Sequence, residues 1–462
     1  MLKIMFFDYR HCEVVDGFIR KIELPEKYSG NPVFVSGHKL EQDWISFYGS
    51  VIRRPDGLWQ AWYTTRIKDT GALVLGYIES NDGIKWERVK NDVVKINGEK
   101  THFVFDKEPH GAAIIYDEKE ERENWKYKLI CGASPSGRIS VFHSSDGIGW
   151  VSTFKNPVIG TNPDCPMALL RLPDKRYVAY HRPMFGDRRV ARSESWDFIN
   201  WTEAKTVIDQ SPEDPPQIQF YGMGAFTYGQ YEIGTLWIYH TESSDFGFWK
   251  MEGYLEPELT YTRTGYAWHR LEQNTPWIRR GKENEFDCGQ ILPASSPVFC
   301  ENEIRFYYAG TRTTHNAKEW NKPEPRCGIG FASIKPDRFT GLKTSQNQSI
   351  LITRPFWTEK PQFFVNAKID GEIKLEITDI SGKPFPGFEK ENSIPLKGDS
   401  ICHPVRWKNN PDLSQVIKKD VRFKLYASDA TVYSLMSGDE REISRYWEFR
   451  IPHLTYEMEK NF

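Results

Sequence analysis

Ser144-Ser145-Asp146-Gly147-Ile148-Gly149-Trp150 is a phrase that this chain repeats. Ser80-Asn81-Asp82-Gly83-Ile84-Lys85-Trp86 is the same phrase, and Ser195-Trp196-Asp197-Phe198-Ile199-Asn200-Trp201 keeps its Ser, Asp and Trp. Thr262-Arg263-Thr264-Gly265-Tyr266-Ala267-Trp268 keeps the Gly and the Trp. In Ser333-Ile334-Lys335-Pro336-Asp337-Arg338-Phe339 the copy is degenerate and Phe stands for Trp. The copies start roughly 50 to 70 residues apart, so one structural unit recurs about five times.

The phrase makes sense as a tight turn. A small hydroxyl and an Asp bond to nearby backbone groups, and Gly tolerates a positive φ. The Trp then opens the next strand and packs its face between neighbouring units. Alternating apolar runs precede the copies, as in Ala72–Ile78 and Ile139–His143. Four short strands fit each interval, which predicts an all-β chain built on a five-bladed β-propeller. The phrase stops near Ser345–Ile350, and beyond it Ile373–Asp379, Val421–Tyr426 and Thr431–Leu435 alternate between Gly and Pro turns. That pattern predicts a propeller over residues 1–345 and a β-sandwich over 346–462.

Composition fits. The 462 residues include 16 Trp, 22 Tyr and 28 Phe, an aromatic load suited to packed sheets and carbohydrate-contacting surfaces. With 61 basic and 63 acidic residues the net charge is −2, which points away from nucleic acid. Seven scattered cysteines without a CxxC pair argue against a disulfide framework or zinc site and for a reducing, cytoplasmic setting. Met1–Phe7 is too short an apolar run for a signal peptide, and no long apolar run predicts a membrane span. Oligomeric state is not written in these features.

The informative pattern lies where each repeat opens. In a propeller the residues just before the innermost strands ring one mouth of the central channel. Asp43, Asp164, Asp214 (with Glu213 beside it) and Asp287 hold four of those positions, and Asp106, Glu108 and His110 approach the second. Glycoside hydrolysis needs one protonated and one ionised carboxyl, and like charges placed together separate the two pKa values. These four aspartates are therefore the candidate catalytic residues, although Asp at a strand entry also simply caps turns. Trp44, His110, Arg182, Tyr221 and His315 are the candidate substrate-binding residues, the rings for stacking and the cations for hydroxyls or a sugar carboxylate. Arg188, Arg189 and Arg192 follow close by, and Glu194 reads as their structural partner.

The repeats, the acid-bearing openings and the trailing sandwich resemble the five-bladed propeller glycosidases of the invertase, levanase and arabinanase type. The nearer resemblance is to bacterial family 32-like glycosyl hydrolases. It rests on Gly30-Asn31-Pro32-Val33, Tyr127-Lys128-Leu129, Glu213-Asp214-Pro215-Pro216 before Phe220-Tyr221-Gly222-Met223, and Phe286-Asp287-Cys288-Gly289. Phe306–Gly310 with His315 and Ile380–Gly387 extend it over nearly the whole chain. The Asn-Asp-Pro-Asn, Arg-Asp-Pro and Glu-Cys motifs of invertases are absent, so fructan specificity is not implied. By position alone, Asp43 stands for the nucleophile and Asp164 for the stabiliser, with Asp214 and Glu213 as acid candidates. What the resemblance implies is a carbohydrate substrate and no redox cofactor, with room for a structural divalent cation such as calcium. Two other readings are a phosphorylase, with the Arg and His residues holding phosphate, and a non-catalytic carbohydrate-binding propeller.

Overall fold

The computed structural model describes residues 2–133, 138–159, 167–183, 188–242, 252–317, 326–357, 359 and 362–438. The chain is all-β: apart from three single-turn 3₁₀ segments, every regular element among the described residues is a strand. Two compact units divide it. One comprises residues 25–298 and 305–333; the other joins 1–24, 299–304 and 334–462. The division thus falls near residues 24 and 334, where the sequence reading places a single boundary at 345.

In the first unit, antiparallel sheets follow one another along the chain. Glu41–Ser46, Trp59–Ile67, Leu73–Ser80 and Glu87–Arg88 form the first, with Val51–Arg53 and Phe103–Phe105 added to it. His110–Tyr116, Tyr127–Ala133, Arg138–Ser144 and Val151–Ser152 form the second. Ala168–Arg171, Tyr177–His181, Val190–Ser195 and Lys205–Ile208 form the third. The remaining repeats share one ten-stranded sheet, joined where Leu255 pairs in parallel with Gln290. Glu26–Lys27 and Phe34–Val35 pair with Cys327–Ile334, so chain from before the first repeat completes the last.

The repeated phrase folds as its chemistry predicts. Ser144 Oγ accepts from Asp146 N at 3.2 Å and Gly147 N at 3.0 Å, while Asp146 Oδ1 accepts from Ile148 N at 2.8 Å and Gly149 N at 2.9 Å. Ser80 with Asp82 repeats this ladder, and Thr262 with Thr264 substitutes hydroxyls for it. The fourth position is left-handed in the first four copies, with φ +71° at Gly83, +80° at Gly147, +76° at Gly265 and +67° at Phe198. Glycine is favoured there for a second reason, close approach. A Cβ on Gly147 would come within 2.6 Å of the Trp62 ring, whose indole N–H donates to Gly147 O at 2.7 Å. In the same way Tyr307 donates to Gly83 O at 2.6 Å. Phe198 compensates for its disfavoured φ by full burial with Ala113, Ile130 and Val141 of the preceding repeat. Each of these turns therefore docks on a neighbouring repeat. The degenerate copy does something else: Asp337 bonds to Lys3 and to Ser434, both at 2.6 Å.

Among the described residues the second unit is one eight-stranded sheet with a large apolar core, beside which Phe364 and Met436 form a smaller cluster. Its long strands are Phe363–Thr378 and Arg422–Ser437, the latter spanning both alternating runs read separately in the sequence. A turn follows the first of them at Ser381–Pro384, with Gly382 at φ +88°. Leu2–Met5, Cys12–Asp16 and Phe18–Ile22 belong to this sheet, pairing with Arg422–Ser437, Ser349–Thr353 and Thr340–Thr344. Ile4 and Cys12 of these strands, and Phe6 just after the first, sit in its core.

Candidate active site

The opening strands of the repeats meet edge to edge. Ser295 N donates to Gly49 O at 3.0 Å, Ala225 N to Ser295 O at 2.9 Å, and Ile114 N to Ser50 Oγ at 2.8 Å. Residues one or two turns of pleat earlier on those strands are thereby gathered. Tyr48 OH donates to Tyr221 OH at 2.8 Å, Tyr221 OH lies 3.1 Å from His315 Nε2, and His315 Nδ1 lies 2.9 Å from Tyr239 OH. A histidine between two phenols accepts at one ring nitrogen and donates at the other, so this chain can hold or pass a proton without creating a net charge. His315 is placed by its own backbone, whose N–H donates to Gly253 O at 2.7 Å.

Two arginines lie on the phenols. The Arg182 guanidinium is 4.2 Å from the Tyr221 ring centroid, and its Nε donates to Tyr221 O at 2.8 Å. Arg188 is 5.1 Å from the Tyr221 ring and 5.3 Å from the Tyr239 ring, with Gln219 accepting from it at 2.8 Å. Trp237 stacks on both Tyr48 and Tyr221 at centroid distances of 6.0 and 6.4 Å. Burial pushes the Tyr239 hydroxyl above its ordinary range; Arg188 opposes that shift, and Tyr221, Glu252 and Glu242 add to it. The rings are buried against one another and under the arginines, so the cluster is a rigid wall of phenol, imidazole and guanidinium groups.

Of the sequence candidates, Arg182, Tyr221 and His315 meet in this cluster, and exposed His110 reaches its edge, 6.0 Å from the Tyr48 ring. Asp43, Asp214 and Asp287 do not join it. Asp43 accepts from Arg326 Nε at 3.0 Å and from Ser36 Oγ. Asp214, with 1% of its side chain exposed, takes two bonds from Arg270 Nη1 at 2.6 and 2.7 Å and one from Ser211 N at 2.8 Å. Asp287 is buried between Lys27 Nζ at 2.5 Å and Tyr308 OH at 2.9 Å. Asp164 lies outside the described residues. Trp44 keeps to its own hairpin, its carbonyl bonded to Thr65 at 2.8 Å and its ring 5.8 Å from Arg66. Arg192 pairs with Glu194 at 2.7 Å and Glu232 at 2.9 Å, and Glu194 is the structural partner the sequence suggested.

Sequence reasoning missed Tyr48, Trp237 and Tyr239. The last two stand two residues apart on one strand, opposite Gly222 and Gln219, so period-two alternation would have shown them facing Tyr221. It also missed a carboxylate pair. Thr241 pairs with Gly253, and just beyond the ends of these two strands Glu242 N donates to Glu252 O at 3.0 Å, which brings the two backbones together. Both line a cavity of about 310 Å³ with Pro215, Gln217, His240 and Thr314, adjoining His315 through Gly253. Glu252 accepts from Thr314 Oγ1. Among the described residues no group of three or more His, Cys, Asp or Glu converges as a metal-ion site, and no helix is long and apolar enough to cross a membrane.

No protein-family model and no curated protein sequence matches the chain. Solved structures do. One belongs to "the GH130 family of mannoside phosphorylases", which "contains glycoside hydrolases that target beta-1,2 mannosidic linkages in Candida mannan"; it is 16% identical over 70% of this chain and 95% of its own, with a TM-score of 0.47. A putative glycosidase from Bacteroides thetaiotaomicron is 14% identical over 68% and 97%, TM-score 0.46. A thermostable family-43 glycoside hydrolase is 13% identical over 68% and 95%, TM-score 0.46. Likeness at this level does not extend to chemistry, which rests on the residues themselves.

Proposed function

We propose that this chain is a glycoside hydrolase whose catalytic unit is a five-bladed propeller, binding a carbohydrate across Tyr48, Tyr221, Trp237 and His315 and cleaving it beside Glu242 and Glu252. The single observation that carries the reading is that Glu242 and Glu252 line one cavity next to that aromatic cluster. They supply the two carboxyls that glycosidic cleavage uses, one as acid and one as base or nucleophile. Asp164 stays in the proposal as a third carboxylate. It stands three residues before Met167, whose Cε would lie 2.5 Å from a Cβ on Gly222, next to Tyr221. Asp43, Asp214 and Asp287 are instead assigned to holding the strand openings through their ion pairs. The five-blade reading is supported by the turn contacts, which run from Gly147 to Trp62 and from Gly83 to Tyr307 of the last repeat.

Arg182 and Arg188 beside His315 favour one alternative, a phosphorylase in which they hold inorganic phosphate. One experiment separates the readings: release from a panel of chromogenic furanosides, mannosides and uronides, with and without phosphate, for the wild type, Glu242→Gln, Glu252→Gln, Asp164→Asn and Tyr221→Phe. A hydrolase with this site releases product without phosphate, and Glu252→Gln lowers kcat by about a hundredfold or more at unchanged Tm. Release only with phosphate gives the phosphorylase. Full activity in both glutamate variants sinks the site.

A further inference from the structure

The repeated turns differ from one another in one region, and there they carry exposed aromatic rings. Trp196 occupies the second position of its phrase, where the other copies have Asn81, Ser145 and Arg263. Tyr266 occupies the fifth position, where three have Ile84, Ile148 and Ile199. Phe154 comes four residues after its phrase's Trp, where the others have Lys90, Lys205 and Glu272. The three rings are 89% (Phe154), 68% (Trp196) and 43% (Tyr266) exposed. Contacts join their surroundings. Lys155, next to Phe154, bonds to Asn200 in the turn that holds Trp196. Arg176 lies 5.6 Å from the Trp196 ring and bonds to Glu194 at 2.5 Å, and Glu194 accepts from Tyr266 OH at 2.6 Å.

This row stands at the far end of the sheet from the candidate site. Ser195 pairs with Tyr177, and Tyr177 with Arg171, whereas His181 and Ala168 mark the opposite end, where Arg182 follows.

Resting on the carbohydrate reading above, we infer that Phe154, Trp196 and Tyr266 form an auxiliary platform for a neutral polysaccharide chain. Two of the rings are held in advance: Trp196 has Arg176 near it, and Tyr266 has Arg192 5.0 Å from its ring and its hydroxyl pinned, so stacking a sugar on them costs little further ordering. The cations between them are engaged, Arg176 with Asp174 and Glu194, Arg192 with Glu194 and Glu232. That leaves a surface of matched charge, which fits an uncharged polyol better than a polyanion. Exposed Asn200, Asp197 and Lys155 supply hydrogen-bonding groups at the edges of the rings.

Affinity electrophoresis tests this, in native gels containing yeast mannan, linear arabinan, levan or pectic galactan, with the wild type, Trp196→Ala, Phe154→Ala and Tyr221→Phe. At least one polymer retards the wild type, Trp196→Ala weakens that retardation about tenfold, and Tyr221→Phe retains most of it. Melting temperatures of the two platform variants stay at the wild-type value, since the rings are exposed, and release from small chromogenic glycosides is untouched. Equal retardation of wild type and Trp196→Ala, or no retardation by any polymer, overturns the platform even if the glycosidase activity stands. Retardation lost in Trp196→Ala from a protein without turnover keeps the platform and removes the hydrolase. A concentration-dependent dimer that Trp196→Ala dissolves, with no retardation, gives the face to a second copy of the chain and overturns the glycan assignment.

Discussion

Asp214 shows what an acid at a strand opening can be for. Its two bonds from Arg270 sit in a chain that continues to Glu258, which takes Arg270 Nε at 2.7 Å. Burial raises the Glu258 carboxyl, with Arg270 opposing the shift. Neutralising one member leaves a buried guanidinium short of countercharge, and such a loss costs about 3 kcal/mol or more. Asp214→Asn is therefore expected to lower stability in urea by about that amount, with any activity loss following the fraction unfolded. A catalytic Asp214 would instead lose kcat at unchanged stability. The sequence made the ring of acids legible but not their direction, because residue type says nothing of whether a carboxylate faces a ligand or an arginine far along the chain. Arg270 stands 56 positions from Asp214, and Arg326 stands 283 from Asp43. The gathered residues Tyr221, Arg182 and His315 were legible for the opposite reason: they lie at the strand ends that the repeat itself locates.

Elements are tied together by buried ionic groups in the same way. Glu41 opens the first repeat, is 2% exposed, and accepts from Tyr63 at 2.6 Å, from Arg88 at 3.0 Å and from His102. Three side chains from separate segments thus converge on one carboxylate, with His38 edge-on to His102 at 4.9 Å. Burial alone would push Glu41 up, but the hydrogen bonds from His102 and Arg88 outweigh it and hold the group down at about 2, from an ordinary 4.5. A depressed folded pKa gives stability that is fully present above the unfolded value and is lost as pH falls through the folded one. Between pH 4.5 and 2 this group withdraws about 3 kcal/mol. Glu41→Gln has no such limb, so its urea midpoint lies well below wild type at pH 7 and the two curves converge as pH approaches 2. A gap that stays constant over that window would mean the ion cluster does not govern the hairpin's acid stability. The turns themselves were readable because Ser, Asp, Gly and Trp act locally; the Glu41 cluster was not, because its members are scattered from 41 to 102.

At the scale of the whole molecule, the repeat located the first unit but hid which residues begin it. The blade phrase says where repeats end, and its last copy, with Phe339, reads as one more turn. Physically Asp337 belongs to the other unit, bound to Lys3 and Ser434, and the first strands of the chain lie in that unit's sheet. Period-two alternation marks strands without naming their partners, and pairing across more than 400 positions, as of Leu2 with Ser437, leaves no local trace. A cut after residue 345 therefore does not release a finished domain. It strips Leu2–Met5 of Arg422–Ser437 and Cys12–Asp16 of Ser349–Thr353, baring strand edges and the side chains of Ile4, Phe6 and Leu342. Unpaired edges beside exposed apolar residues drive aggregation. Residues 25–333 keep every sheet of the first unit, including the closure of Glu26–Lys27 and Phe34–Val35 onto Cys327–Ile334. The expected outcome, read by soluble yield and by the cooperativity of thermal melting, is that 1–345 aggregates while 25–333 is soluble and melts in one transition. Should 1–345 prove the better-behaved of the two, the first strands would have to contribute to the propeller and not to the C-terminal sheet.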